Sequence, residues 1–189
     1  MDLGIFGRRA LIAGSSSGIG AAIAVALAKE GVDIIIHGRS RERAQVVSDE
    51  IGAAGGTARI LLGLLDDPAE VESMAREALA TGPVDILINC AGAASEPHRW
   101  FDGPKDAWQR QFQTSTFYAV QLIQAIVPSM RERGWGRVIN IGTAAGITPT
   151  SGIADYGPAK AAMLNMSLGL SRAIKNSGVT SNCVSPGMV

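Results

Sequence analysis

Short apolar runs alternate with longer amphipathic stretches along the whole chain. The runs are rich in β-branched residues and nearly continuous in hydrophobicity, which is typical of strands covered by helices on both faces. The predicted strands are Arg9–Ala13, Asp33–His37, Ala58–Leu62, Asp85–Asn89, Arg137–Ile141 and Thr180–Ser185. The predicted helices between them are Gly18–Glu30, Arg41–Ala54, Pro68–Ala80, Lys105–Arg133 and Tyr156–Asn176. This alternation predicts an α/β fold with a parallel sheet.

The fourth predicted helix, Lys105–Arg133, is the longest of the five. Apolar and small residues recur along it at three- and four-residue steps, so one face is predicted to be buried. That face consists of Phe112, Ser115, Tyr118, Ala119, Leu122, Ile126 and Met130. The excess length of the helix indicates a second buried face, which would suit a contact between subunits.

Composition and charge narrow the class of protein. Of the 189 residues, 47% are hydrophobic and 18% charged, so the chain can bury a core and is not disordered. A domain takes about 150 residues, so residues 1–189 are predicted to form one domain. Seventeen basic residues balance seventeen acidic ones, which argues against a nucleic acid or an anionic membrane as partner.

Targeting signals and cysteine positions indicate the cellular location and the redox state of the protein. No apolar stretch approaches the about 18 residues that a membrane span needs, and no secretory signal is recognisable, so a cytoplasmic protein is predicted. Cys90 and Cys183 lie in apolar segments without metal-ligand spacing. We therefore expect two reduced core thiols, with neither a disulfide nor a metal site.

The first predicted strand runs through a glycine-rich loop, residues 13–20, directly into a helix. Gly14 permits a tight exit from the strand, Gly18 lets backbone approach a ligand, and Gly20 allows helix and strand to pack closely. The free N–H groups and the positive dipole end of the helix would face a pyrophosphate. The predicted dinucleotide-binding residues of this loop are Gly14, Ser16, Ser17, Gly18, Ile19 and Gly20. The alternative is a glycine turn that only begins a helix.

The end of the second strand suggests which dinucleotide binds. A carboxylate that would bind the 2′-hydroxyl of NAD is missing, and Arg39 offers a planar set of donors suited to a 2′-phosphate. Ser40 can add a hydroxyl or cap the next helix. NADP is therefore favoured over NAD, although a solvated arginine at a helix start is the alternative. His37 is interpreted as closing the strand rather than touching the cofactor.

Tyr156 and Lys160 form the candidate catalytic pair. They stand at positions i and i+4 of one predicted helix and so share a face. A tyrosine normally has a pKa near 10, but a neighbouring ammonium favours the phenolate and makes proton transfer accessible. Taken alone the pair is a weak signal, since such pairs usually lie on a solvated face.

Together these residues resemble the short-chain dehydrogenase/reductase family over essentially the whole chain. Its glycine motif matches Gly14, Gly18 and Gly20, and its N-N-A-G motif matches residues 89–92. Its catalytic serine falls on Thr143, which keeps the hydroxyl. Its proline–glycine turn after the sixth strand falls on residues 186–187.

The resemblance implies a Rossmann-type, doubly wound parallel sheet and hydride transfer between NADP(H) and a small ketone or secondary alcohol. Tyr156 would act as acid or base. Lys160 would lower the tyrosine pKa and bind the nicotinamide ribose, and Thr143 would orient the substrate oxygen. The further cofactor positions implied are Asn89, Ala91, Gly92, Pro186, Gly187 and Val189. Each of Asn89, Ala91 and Gly92 could equally be a structural turn residue.

The chain departs from the family pattern in three ways. Ser115 replaces an asparagine that supports a water relay behind the lysine, which predicts a slower or rewired relay. Leu64 stands where an aspartate contacts adenine, and Asp66 substitutes only if the loop is shifted by two residues. Family chains continue well past the proline–glycine turn, so the C-terminal portion, with much of the substrate half, is expected to be missing here.

The sequence leaves more than one substrate class and more than one oligomeric state open. A 3-oxoacyl reductase and a sugar or polyol dehydrogenase both fit the motifs. The alternative is a nucleotide-binding member that is non-catalytic or regulatory, which the departures encourage and the retained Tyr156, Lys160 and Thr143 oppose. A homodimer or homotetramer is expected, assembled through the predicted fourth and fifth helices.

Overall fold

A computed structural model describes residues 2–92, 100–149 and 152–187. Within these residues six strands form one parallel sheet in the order β3-β2-β1-β4-β5-β6. The strands are β1 (Arg9–Ala13), β2 (Asp33–Gly38), β3 (Ala58–Leu62), β4 (Ile86–Asn89), β5 (Gly136–Ile141) and β6 (Val179–Val184). This order confirms the predicted doubly wound Rossmann-type sheet, with its topological switch point between β1 and β4.

Helices cover both faces of the sheet. They are α1 (Gly18–Lys29), α2 (Arg41–Ala53), α3 (Pro68–Ala80), α4 (Ala107–Phe112), α5 (Tyr118–Glu132) and α6 (Tyr156–Ala173), with a π-helix at Gln113–Phe117 and a 3-10 turn at Ala144–Gly146. Alternate strand residues feed two separate cores: Leu11 packs with α3, α5 and α6, and Ile12 packs with α1 and α2. No helix in the described part of the chain is long and apolar enough to cross a membrane.

The prediction of one continuous helix over Lys105–Arg133 is wrong. The observed α4 begins at Ala107, and the π-helix separates it from α5. Thr116, in the π-helix, donates a hydrogen bond of 2.6 Å from its hydroxyl to the main-chain oxygen of Ala159 in α6. The wider turn therefore brings both Ser115 and Thr116 inward, and both are buried.

The predicted apolar face of this segment is nevertheless confirmed. All of its members except Phe112 are fully buried. A helix that gains one residue within a π-turn keeps its apolar stripe on both sides of the turn, so hydrophobic periodicity alone does not reveal the insertion.

Candidate active site

The carboxyl ends of β1 and β4 border a cavity of about 1000 Å³, at the switch point where doubly wound sheets bind ligands. The glycine loop, the end of β2, the segment after β4 and the start of α6 form its walls. The sequence-predicted residues that line the cavity are Gly14, Ser16, Ser17, Ile19, Gly20, Arg39, Ala91, Gly92, Tyr156 and Lys160. The topology thus brings the predicted dinucleotide loop and the predicted catalytic pair to one cavity.

The glycine loop takes the shape that a pyrophosphate needs. Gly14 has φ +82°, and a Cβ there would lie 2.8 Å from the backbone of Ala91. A Cβ on Gly20 would overlap the main-chain oxygen of Gly14. Ser17 begins α1 without a capping hydrogen bond from its side chain, and the first turn of α1 has no acidic residue. The positive end of the helix is therefore free of opposing side-chain charge, which fits a bound phosphate.

Two arginines line the cavity beyond β2. Arg39 was predicted from the sequence, whereas Arg43, in the first turn of α2, was missed. Ser40 caps α2 by accepting a hydrogen bond of 3.3 Å from the backbone N–H of Arg43. A Cβ on Gly38 would overlap the Ser16 hydroxyl, so a carboxylate at position 38 would displace Ser16.

Lys160 is deeply buried, with 2% of its surface exposed. Its ammonium Nζ donates to the main-chain oxygens of Ile141 at 2.9 Å and Ala91 at 3.1 Å. Burial lowers the pKa of Lys160 to about 8. The ammonium thus joins the ends of β4 and β5 at the cavity and can release its proton near neutral pH.

Tyr156 begins α6 and is half-buried. Burial raises the pKa of its phenol above the ordinary 10, and a hydrogen bond from the Thr143 side chain lowers it in part. The shift in this pKa is upward, opposite to the expectation from a neighbouring ammonium, because burial outweighs the hydrogen bond to Thr143. The phenol is therefore held in its protonated form at neutral pH, next to the Thr143 side chain.

Ser115 lies in the π-helix, is fully buried and does not line the cavity. Its Oγ is 2.8 Å, and the Lys160 Nζ 3.1 Å, from the point that a Cβ on Gly92 would occupy. The two polar groups therefore flank the same glycine. Gln111 Nε2 donates to Ser115 Oγ at 2.6 Å. Sequence reasoning missed Gln111; the available signal was a glutamine four residues before Ser115 in a segment with a buried face.

Asn89 does not line the cavity. It is fully buried, and its Nδ2 donates to Asn140 Oδ1 at 2.7 Å. The Nδ2 of Asn140 donates in turn to Ser167 Oγ in α6 at 2.8 Å. This amide chain joins β4, β5 and α6 and gives the side chain of Asn89 a structural contact. Its place beside the adenosine ribose stays a prediction.

The sequence also places candidate cofactor residues after β6 and after β3. Pro186 and Gly187 follow β6 and lie outside the cavity wall, and Val189 is not among the described residues. Leu64 is 41% exposed and does not line the cavity, whereas Asp66 does. Asp66 thus lies at the cavity, and its substitution for the aspartate expected at position 64 stays a prediction.

The cysteines differ from the core thiols that were predicted. Cys90 and Cys183 are both free but only partly buried, and Cys90 lines the cavity. Burial raises the pKa of each thiol, so both are neutral at physiological pH. Across the described ranges, no three His, Cys, Asp or Glu side chains form a group that could hold a metal ion.

Comparison with known proteins places this site in a family. A family model described as short chain dehydrogenase matches residues 8–189. The chain is 37% identical over 188 residues to the uncharacterized oxidoreductase YvaG of Bacillus subtilis, covering 99% of this chain and 70% of that protein. It is 35% identical over 184 residues to the 3-oxoacyl-[acyl-carrier-protein] reductase FabG of Escherichia coli, covering 97% and 74%.

A solved structure gives a close match as well. The 3-oxoacyl (acyl-carrier-protein) reductase of Agrobacterium tumefaciens with NADP bound superposes with a TM-score of 0.93 at 34% identity. The match covers 97% of this chain and 71% of that one.

The buried ammonium makes stability depend on pH in a way that can be measured. In the unfolded chain Lys160 keeps its proton up to about its ordinary pKa of 10.5, but in the fold only up to about 8. Stability relative to Lys160→Met should therefore rise between those pH values, by roughly 2–3 kcal/mol. Urea unfolding of both proteins at about pH 7.5 and about pH 10 tests this, and a stability difference that is constant with pH would contradict it.

Proposed function

The chain belongs to the short-chain dehydrogenase/reductase family, and from this premise we propose that it is an NADP(H)-dependent oxidoreductase acting on a small ketone or secondary alcohol. The observation that carries the proposal is that Tyr156 and Lys160 line the same cavity as the glycine loop, with the Thr143 side chain hydrogen-bonded to the Tyr156 phenol. A phenol, a hydroxyl and a buried ammonium at one edge of a dinucleotide site supply the proton chemistry that a carbonyl reduction needs.

The residues present fit the cofactor. We assign the pyrophosphate to the glycine loop and the start of α1, and the 2′-phosphate to Arg39 and Arg43, with Ala91 and Gly92 beside the dinucleotide. Bound NADP(H) supplies the hydride acceptor or donor. The close contact between Gly38 and Ser16 also explains why no carboxylate stands where one would select NAD.

The protein's own groups handle the proton. In the direction of reduction, the neutral Tyr156 phenol donates its proton to the substrate oxygen while the Thr143 hydroxyl holds that oxygen. Because burial holds the pKa of Tyr156 high, the phenol is protonated before the reaction. Lys160, with its pKa lowered to about 8, is suited to passing a proton toward Tyr156 and regaining one from the Ser115 side.

The apolar surroundings of the site favour a 3-oxoacyl group over a sugar or polyol. A recess of about 260 Å³ lies beside the residues that follow Thr143 and Tyr156. Its lining has no charged residue and includes Trp100, Pro149 and Ile153. Such a recess suits an acyl chain and offers few partners to the hydroxyls of a polyol. The names of the Escherichia coli and Agrobacterium tumefaciens relatives support the same substrate class.

Assembly and location are part of the same proposal. We take residues 1–189 as one domain of a cytoplasmic protein that forms a homodimer or homotetramer through α4, α5 and α6. A series of aromatic rings supports this assembly: Trp108 lies 5.1 Å from Trp100 and 6.5 Å from Phe112, and Phe112 lies 5.8 Å from Phe117, between ring centroids. Phe117 is 48% exposed, as expected of a face that a second copy covers.

The substitution Tyr156→Phe tests the acid–base role. Turnover of a short 3-oxoacyl thioester with NADPH should fall by about 10²–10⁴-fold, because the proton donor is gone, while NADPH binding is retained. Far-ultraviolet circular dichroism and the NADPH titration of the same variant are the controls for its fold and its dinucleotide site, since the other tyrosine, Tyr118, bonds the Ala91 carbonyl that also holds Lys160. Near-normal turnover by a folded Tyr156→Phe protein would disprove the proposal.

The substitution Arg39→Ala tests cofactor selection. Loss of the guanidinium should weaken NADPH binding by about 10-fold or more and leave NADH binding little changed, because only NADPH carries the 2′-phosphate. Arg41 is exposed, lies outside the cavity and provides the control substitution Arg41→Ala. Fluorescence titrations with both dinucleotides measure the ratio, and equal loss for NADPH and NADH would reject the assignment.

The pair formed by Gln111 and Ser115 is expected to carry the relay function of the family asparagine. Gln111→Leu should lower turnover by about 10-fold with NADPH affinity unchanged, because Ser115 loses the donor that orients its hydroxyl. Adding Ser115→Asn to that variant should restore turnover. Gln109→Leu makes the same change on the exposed side of α4 and should have no effect. Unaltered kinetics and pH profile in Gln111→Leu would count against the pair.

A further inference from the structure

We propose that His37 is a positioning residue that fixes the first amide of the glycine loop for dinucleotide binding, an inference that rests on the NADP(H)-dependent function proposed above. His37 belongs to β2, and its ring forms part of the cavity wall although only 2% of the residue is exposed. The sequence indicated only a residue that closes a strand. In the structure its ring contacts two different loops, one at Gly14 and one at Gly63.

Both ring nitrogens of His37 have main-chain partners. The backbone N–H of Gly14 donates to Nδ1 at 3.1 Å, and Nε2 lies 3.2 Å from the main-chain oxygen of Gly63. An N–H group can only donate and a carbonyl can only accept. Nδ1 must therefore be bare and Nε2 must carry the proton, so the neutral Nε2–H form is the one that satisfies both contacts.

The main chain of His37 holds the next residue of the loop. Its N–H donates to Ser15 Oγ at 3.0 Å, and its carbonyl accepts from the N–H of Ser15 at 2.8 Å. Ser15 Oγ also donates to the main-chain oxygen of Ile12 at 2.7 Å. The regular pairing of β1 with β2 extends to Ile12 and Ile36, so these contacts continue the attachment into the loop.

Gly14 is thereby held from two sides. The imidazole of His37 takes its N–H, and the backbone of Ala91 lies against the opposite side, where a Cβ would be 2.8 Å away. A shift of the loop toward β4 would drive Gly14 into Ala91, and a shift away would strain the histidine contact. The direction in which the following N–H groups point into the cavity depends on this clamp.

Protonation of His37 would break the clamp, because a second N–H would then face the N–H of Gly14. Burial lowers the pKa of His37 below its ordinary 6.5, and the Gly63 carbonyl opposes that shift only in part. The clamp is therefore complete above about pH 6.5. Stability should decline as the pH falls from about 6.5 toward the lower folded pKa, and cofactor affinity should decline as the pH passes through that folded value.

Charged groups on the elements packed around His37 lie near the same part of the cavity. From α2, Glu42 and the arginines at positions 39 and 43 line the same cavity, and Asp66 reaches it from the loop after β3. From α3, Glu70 Oε2 lies 3.8 Å from the point that a Cβ on Gly63 would occupy. Residues 10–13 of β1 and 60–62 of β3 carry no charge. Both ring nitrogens are engaged by main-chain groups, so these side chains act on His37 only through space.

Nuclear magnetic resonance tests the tautomer without any substrate. The chain has two histidines, so the imidazole nitrogen signals can be assigned by substituting His98. At about pH 7.5 His37 should show the Nε2–H tautomer, and it should resist protonation down to a pH below about 6.5. An Nδ1–H tautomer, or a charged ring at that pH, would overturn the proposal.

Binding measurements test the positioning role. His37→Ala should weaken NADPH and NADH alike by about 10-fold, because both carry the pyrophosphate. His37→Asn places an amide oxygen that can accept from Gly14 and should recover much of the affinity, with less loss toward acid pH than the wild type. NADH is the critical probe because it lacks the 2′-phosphate, which itself titrates near about pH 6.

A purely structural role predicts a different pattern. His37→Ala would then lower the urea midpoint while leaving both dissociation constants and their pH dependence unchanged, and that result would reject the proposal. None of these measurements uses carbonyl turnover. A protein that binds NADPH as expected but reduces no ketone would refute the proposed activity and leave the role of His37 intact.

Discussion

The backbone of Gly14 runs so close to that of Ala91 that no side chain fits between them, and the rest of the site depends on that approach. It sets the direction in which the chain leaves β1 and therefore where α1 begins. On its other side, Ala91 uses its carbonyl oxygen to accept from the Lys160 ammonium at 3.1 Å and the Tyr118 phenol at 3.3 Å. The dinucleotide loop and the catalytic lysine are thus positioned by two sides of one short segment after β4.

Lys160 places a charged ammonium in a buried position, which destabilises the fold. Removing an ammonium from water is costly, and two main-chain carbonyls replace part of its hydration. The remaining cost shows in the lowered pKa, which also makes the proton available near neutral pH. Burial of Lys160 thus lowers the stability of the fold and, through the lowered pKa, makes the proton easier to transfer. Such a conflict between stability and function is common.

The sequence predicted the sheet well because β1 to β4 each contain an apolar run of at least three residues. It predicted α3 because Asp67 caps that helix and Pro68 begins it. It could not predict the π-helix, since the apolar stripe persists on both sides of the inserted residue. The roles of His37 and Gln111 also escaped it, because their partners, Gly14, Gly63 and Ser115, become identifiable only once the strands and helices are packed. The hydrogen bond from the Asn89 amide to Asn140 was likewise not predictable, because the two residues lie on different strands.

The departures from the family pattern relocate polar groups rather than remove them. In place of the family asparagine, Gln111 provides a side-chain amide, which donates to the Ser115 hydroxyl. A carboxylate still lines the cavity after β3, but it belongs to Asp66 instead of position 64. Binding of the nicotinamide ribose needs a hydrogen-bond donor, but not an ammonium whose pKa has been lowered to about 8 by costly burial. The energetic cost of Lys160 therefore argues for catalysis over the non-catalytic alternative.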